Sequence, residues 1–216
     1  ICLDYSSINI AKRFHIGHLS TTMLGHSLAR IYRFLGYKTV SINHLGDWGT
    51  QFGKLIYAYK TWGSREEVEA KGVPELTRLY VKFHEEAEQH PELEDEGRRW
   101  FKAIEDGNAE ALELFNWFKE LTLRDAKPVY DLLGVQFDSY NGESFYVDKT
   151  DRVVEELREK NLLTISDGAS VVDLDEEKSG MPPCLILKKD GTTIYATRDI
   201  AAALYRKETY DFDKCL

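Results

Sequence analysis

Two histidines separated by Ile16 and Gly17 are the residues whose types and spacing point most directly at chemistry. They sit in the stretch Ser6-Ser7-Ile8-Asn9-Ile10-Ala11-Lys12-Arg13-Phe14-His15-Ile16-Gly17-His18-Leu19. An apolar run at residues 1–3 precedes it and a helical pattern follows, so it reads as the loop between a first strand and a first helix. At a helix N-terminus His15 and His18 turn toward the same side as unpaired backbone N–H groups and the positive end of the dipole, which makes a phosphate site. Imidazole adds a donor without a permanent charge, and Gly17 lets a flat group lie against the backbone. Spacing alone leaves a second reading open, in which surface histidines simply cap a helix.

The elements that must position these histidines read as a strand over residues 1–5 and a helix from Leu19 with Leu24, Leu28, Ile31 and Leu35 on one apolar face. Gly36 stops the helix, and a second strand runs over residues 39–42. Strand, helix, strand with the loop at the first strand's C-terminal end is a Rossmann-type crossover. No G-x-G-x-x-G follows the first strand, which argues against a nicotinamide or flavin enzyme. A second polar loop, Asn43-His44-Leu45-Gly46-Asp47-Trp48-Gly49-Thr50-Gln51-Phe52-Gly53, enters a helix with Phe52, Leu55, Ile56 and Tyr59 on one face. The spacing then predicts helices from Ser64 to Leu133: a Ser64/Glu67 capping box, a stripe at Leu76, Leu79, Tyr80 and Phe83, a break at Pro91, and a further face at Leu112, Phe115 and Leu121 ending near Gly134.

A third core strand is expected over residues 135–137, followed by Asp138-Ser139-Tyr140, and a short helix carries Val153, Val154 and Leu157. Residues 163–197 read as β, with alternation at 170–174 and 184–188 and a hairpin turn at Asp190-Gly191 between two strand-like runs. The last strand should deliver Tyr195 to a helix over residues 198–205, so that Tyr195 and Asp199 stand on adjoining elements facing one cavity. The fold class is α/β: a Rossmann-like parallel-sheet nucleotide-binding core with a helical insertion and a small β-rich insertion. Its segments are 1–63 (first part of the core), 64–134 (helical insertion or connector), 135–147 (core strand and loop), 148–194 (β-rich insertion) and 195–216 (return to the core, cut in mid-domain).

The histidine stretch resembles the first signature of class I aminoacyl-tRNA synthetases, and most closely that of the arginyl-tRNA synthetase family. The Asn43–Gly53 loop, Asp138-Ser139-Tyr140 and Tyr195-Ala196-Thr197-Arg198-Asp199-Ile200-Ala201 strengthen the resemblance and lie in family order across nearly the whole chain. It implies ATP-dependent activation of L-arginine to an adenylate and transfer to tRNA(Arg), with Mg2+ accompanying ATP and no metal site on the protein. His15 and His18 would stabilise charge on the phosphate, Gly17 would lie under adenine or ribose, and Lys12 would contact ATP phosphates. A guanidinium demands a carboxylate; the resemblance puts Asp199 there with Tyr195 beside it, and Asn9 and Asn43 on the ammonium or carboxylate of arginine. The chain departs from the pattern at Ser7-Ile8-Asn9, where a proline often precedes the asparagine. The lysine-rich second signature, the N-terminal tRNA-binding domain and the C-terminal anticodon domain are missing, so tRNA binding would rest mostly on regions outside this chain.

Composition sets the outer bounds. With 216 residues and 43% hydrophobic content the chain can bury a substantial core, and no stretch approaches the apolar length of a membrane span. Cys2, Cys184 and Cys215 lack metal-ligand spacing and fit a reducing compartment. No secretory leader precedes the first signature, and the expected location is the cytoplasm. A net charge of -9 argues against nonspecific coating of nucleic acid; Lys12 and Arg13 are the best local basic patch. The acidic excess between Glu85 and Glu96 reads as a solvated face rather than a metal site. Two other functions fit the same residues: another nucleotidylyltransferase with this histidine loop, and a noncatalytic synthetase-like module that binds tRNA or a partner.

Overall fold

The computed structural model describes residues 1–174 and 180–216. Its contacts divide the chain into two compact units, residues 3–140, and residues 141–216 together with residues 1–2. Residues 175–179, part of the expected β-rich stretch, lie outside the described residues.

The first unit begins in β1 (Cys2–Asp4), passes through the histidine loop into α1 (Ile16–Phe34) and returns through β2 (Val40–Ile42). β1 and β2 are hydrogen-bonded neighbours, so the expected crossover forms. The helix starts three residues earlier than its apolar pattern suggested, which brings His18 into its first turn. Gly36, at φ +88, ends it as expected, its N–H donating to Arg33 O.

The apolar stripe of α1 lies outward. Leu24, Leu28, Ile31 and Leu35 are exposed, with Phe34 91% accessible, whereas His18, Thr22, Gly25 and Ala29 face inward. Periodicity locates a stripe but not what covers it. Here the small inward side chains let the helix lie close to the Tyr5 ring, against which Gly25 sits.

The expected strand over residues 135–137 does not form either. The left-handed Gly134 closes the helix before it, and Val135 N–H turns back to Tyr130 O at 2.9 Å instead of entering a ladder. Pairing with β2 is shifted to a single parallel bridge between Ile42 and Ser139, held by Asn43 N–H to Ser139 O at 2.9 Å.

The helices α2 (Thr50–Trp62), α3 (Arg65–Lys71), α4 (Val73–Gln89), α5 (Leu93–Glu105) and α6 (Ala109–Leu133) follow the expected stripes. Phe52, Leu55, Ile56, Leu76, Leu79, Phe83 and Phe118 are essentially inaccessible, each contributing about 1.5–3 kcal/mol by burial. Tyr59 and Tyr80 are half-buried at the edge. Ser64 caps α3 by accepting Glu67 N–H at 3.2 Å, while the Glu67 carboxylate takes Lys71 rather than returning to Ser64. The acidic stretch is a solvated, ion-paired face, with Glu94 on Lys54 at 2.8 Å and Asp95 on Arg98 at 2.6 Å.

The second unit holds a 3₁₀ turn (Glu143–Lys149), α7 (Thr150–Glu159), the antiparallel sheet β3 (Leu163–Ser166), β4 (Ala169–Val172) and β5 (Cys184–Leu187), and α8 (Tyr195–Tyr210). Tyr146, Val153, Ala201 and Ala202 form its core. The Asp190-Gly191 turn is present, with Gly191 N–H on Lys188 O at 2.9 Å. The run after it is reduced to one bridge, Leu187 with Thr193, because α8 starts at Tyr195 rather than Arg198. Thr197 Oγ1 donates to Ile186 O at 2.6 Å and Arg198 pairs with Glu143 at 2.8 Å, which ties the first turn of α8 down.

Candidate active site

His15 is the N-cap of α1, in extended conformation, and His18 is in the first turn. Gly17 N–H donates to His15 Nδ1 at 3.1 Å, and His15 N–H donates to His18 Nδ1 at 3.3 Å. The two rings stack at 3.8 Å between centroids. Two of the amides that the sequence left free for an anion are therefore taken by the imidazoles. The exchange has a chemical consequence: a neutral imidazole accepts at one nitrogen only, so both rings must carry their proton on Nε2. The site offers two imidazole N–H donors in place of two backbone ones.

Burial pushes the His18 imidazole below its ordinary value, and the neighbouring His15 and Lys12 push the same way. His18 is thus held in the neutral form its accepted hydrogen bond requires. Phe14 closes the site from one side, 5.5 Å from the His18 ring and edge-on to Tyr130 at 5.7 Å. Gly17 is exposed at the helix start, and a Cβ there would meet His15 Cε1 at 3.0 Å, so the glycine is needed for the cap itself as much as for an approaching ligand.

The loop before the helix is pinned from three directions. Ser6, Ser7 and Ala11 all have positive φ without being glycine, a conformation that costs about 1–3 kcal/mol per residue and persists only under outside constraint. Ala11 N–H donates to Thr122 Oγ1 at 2.9 Å. Ile8 N–H donates to Asn43 Oδ1 at 3.4 Å, and the Asn43 Nδ2 donates to Tyr130 OH at 3.0 Å. Ser6 Oγ lies 2.7 Å from the same Tyr130 oxygen, and Thr22 Oγ1 lies 2.8 Å from Ser6 Oγ and 2.6 Å from His18 O. Ile8, standing where the family often has proline, uses an N–H that proline lacks. Asp47 in the second loop is fully buried and bound by Lys119 at 2.6 Å.

Asn9 and Lys12 are both exposed and line a cavity of about 300 Å³ with Ile10, Ala11, Gly46, Gln51, Phe52, Leu55 and Tyr80. Its lining holds one cation, two carboxamides and no carboxylate, which suits a neutral or anionic group and not a guanidinium. Asn43 differs from Asn9: it is fully buried, and its carboxamide reaches the loop and Tyr130.

In the second unit Tyr195 and Asp199 lie on one element, not on adjoining ones. They are the first and fifth residues of α8, one turn apart, and both are exposed. Spacing of four places them on the same face, while the intervening Thr197 and Arg198 are buried in anchoring contacts. Asp199 is not the N-cap; Ile194 is. Ser6, Thr22 and Tyr130 went unmarked in the sequence, because hydroxyls on three separate elements, up to 124 residues apart, leave no spacing to find.

A crossover whose first helix opens on two capping histidines defines an α/β fold of the class I synthetase type. The arginyl-tRNA synthetase of Plasmodium falciparum has it: TM-score 0.79, 28% identity, 99% of this chain and 36% of that one covered. The Thermus thermophilus arginyl-tRNA synthetase matches with TM-score 0.73 over 95% of this chain and 35% of its own, and at 23% identity it supports the fold alone. The chain belongs to the family described as tRNA synthetases class I (R), catalytic domain, which matches residues 1–216. It is 61% identical over its whole length to the arginine–tRNA ligase of Clostridioides difficile and 59% identical to that of Alkaliphilus metalliredigens. It spans about 38% of the length of these curated relatives.

Proposed function

We propose that this chain is the part of an arginine–tRNA ligase that activates L-arginine with ATP. The observation that carries the reading is the linked cap of His15 and His18, which occupies Nδ1 of both rings and leaves Nε2 of each to donate. The arginine carboxylate attacks the α-phosphate of ATP, pyrophosphate leaves, and the arginyl group then passes to the terminal ribose of tRNA(Arg). No side chain is acylated. The protein's share is positioning and stabilisation of charge growing on the phosphate oxygens: His15 and His18 donate, Lys12 supplies the cation, and Gly17 keeps the floor flat. Mg2+ would come with the ATP phosphates. Asp199 pairs with the guanidinium and Tyr195 flanks it, their shared face on α8 supporting a joint role. Asn9 contacts the amino acid backbone, and Asn43 acts by holding the loop. Such a reaction belongs to the cytoplasm, and no helix among the described residues is long and apolar enough to cross a membrane.

The test is ATP–pyrophosphate exchange by the complete gene product with arginine and tRNA(Arg). His15→Ala and His18→Ala should each lower the exchange rate by about ten- to a thousandfold; loss of ATP affinity with unchanged turnover would remove them from this role. Asp199→Asn should abolish arginine binding in calorimetry and leave ATP binding nearly intact, and an unchanged arginine affinity would take Asp199 out of the site.

A further inference from the structure

We propose that the Tyr130 hydroxyl is a positioning group for His18, acting through a buried chain of hydrogen bonds that links Asn43, Tyr130, Ser6 and Thr22 to the His18 carbonyl. The inference rests on the reading of His18 given above.

The chain is continuous from the buried amide to the helix. Tyr130, Ser6 and Thr22 each have one hydroxyl proton, and there are three contacts to fill: Tyr130 with Ser6 at 2.7 Å, Ser6 with Thr22 at 2.8 Å, and Thr22 with the His18 carbonyl at 2.6 Å. A carbonyl only accepts, so Thr22 gives its proton to His18. Thr22 Oγ1 stands as donor toward both Ser6 Oγ and the His18 carbonyl, so its one proton serves both acceptors. Either hydroxyl can donate in the Tyr130–Ser6 contact, and the Tyr130 oxygen accepts from Asn43 Nδ2 at 3.0 Å. The Asn43 amide oxygen faces Ile8 N–H.

Every member is shut away from water, with Thr22 and Asn43 at 0%, Ser6 at 3% and Tyr130 at 4% accessible. Burial raises the Tyr130 hydroxyl above its ordinary value, keeping it protonated. Hydrogen bonds in such a series polarise one another, and a break at one point weakens the rest. What the chain holds is the first turn of α1, on which His18 Nδ1 meets His15 N–H, and Ser6 at φ +72. Tyr130 touches no expected substrate; its ring packs on Phe14 and Phe137, which a phenylalanine would preserve.

The experiment uses the complete gene product with Tyr130→Phe, Ser6→Ala, their double variant, Thr22→Ser and Thr22→Val. Turnover and KM for ATP are read in pyrophosphate exchange, and the His18 ring nitrogen shifts and titration midpoint by NMR. Tyr130→Phe should lower turnover about tenfold with KM for ATP within about twofold, since a small displacement of a positioned donor acts on the transition state. The double variant should be no worse than the poorer single one, because a chain broken twice is still one broken chain. Thr22→Ser, which keeps the hydroxyl, should retain wild-type turnover and His18 shifts, and Thr22→Val should not. Wild-type turnover in both Tyr130→Phe and Thr22→Val, or losses that multiply in the double variant, would overturn the proposal. Should Tyr130→Phe fail to fold, the Thr22 pair decides. A wild-type protein without exchange activity would defeat the proposed function, and the NMR comparison would then still decide the positioning of His18.

Discussion

His15 and His18 each satisfy a backbone donor that the start of α1 would otherwise leave open, and each is thereby fixed in one tautomer. A cap and an anion site are usually alternative uses of a helix N-terminus; an imidazole has two nitrogens and serves both. The arrangement predicts a pH dependence. His18 has its proton affinity lowered in the folded state, chiefly by burial, so below its ordinary value of about 6.5 the unfolded chain takes up a proton that the folded chain refuses. Stability from this residue is therefore full above about pH 6.5, falls as the pH drops from there toward the lowered folded value, and levels off below it. His18→Asn keeps an acceptor for His15 N–H and has nothing to titrate. The difference in urea midpoint between wild type and this variant should shift against the wild type between about pH 7.5 and 5.5, and a difference that stays constant would contradict the assignment.

Among the elements, α2 and α5 show how closely backbone and side chain are matched. A Cβ on Gly53 would lie 1.9 Å from Gly97 O and 2.5 Å from Phe101 N, both backbone atoms that cannot swing aside. Gly53→Ala must push the two helices apart, loosening Phe52 and Leu55, which lie on the helix that carries the second signature loop. The expected loss is about 1–3 kcal/mol or more, visible as a lower urea midpoint; unchanged stability would mean that the helices are not packed at this distance. Gly53 was legible in the sequence only as the last residue of a polar loop, because its reason lies on a helix more than forty residues away. α8 teaches the converse. The Tyr195–Asp199 pair was legible through its motif, but its placement on one helix depended on Thr197 and Arg198 finding Ile186 and Glu143.

At the scale of the molecule, α1 has its longest apolar stripe outward: Ile16 is 78% accessible, and Leu24, Ile31, Phe34 and Leu35 are more than half exposed. A contiguous apolar face of this kind promotes association in water. The 216-residue chain produced alone should self-associate in light scattering at concentrations where Leu24→Glu with Ile31→Glu is monodisperse. Because neither side chain is in the core, that double variant should keep the thermal midpoint of the parent; a parent already monodisperse would show that the face is harmless in this form. The stripe identified the helix, and which of its sides turns inward was not legible in it.

The sequence by itself determined most of the element order, the helical stripes of residues 64–133 and the places of the two polar loops, since these depend on local periodicity, caps and turn residues; the family came from the resemblance of its motifs. Only the tertiary structure decided which face of α1 turns inward, that residues 135–137 form no strand, and that His15 and His18 bind each other's backbone surroundings through Nδ1. It alone revealed the hydroxyl chain from Asn43 through Tyr130, Ser6 and Thr22 to His18. The physical reason is one of range: periodicity reports what a segment prefers, whereas a buried hydrogen bond is set by which distant donors and acceptors packing brings within 3 Å of each other.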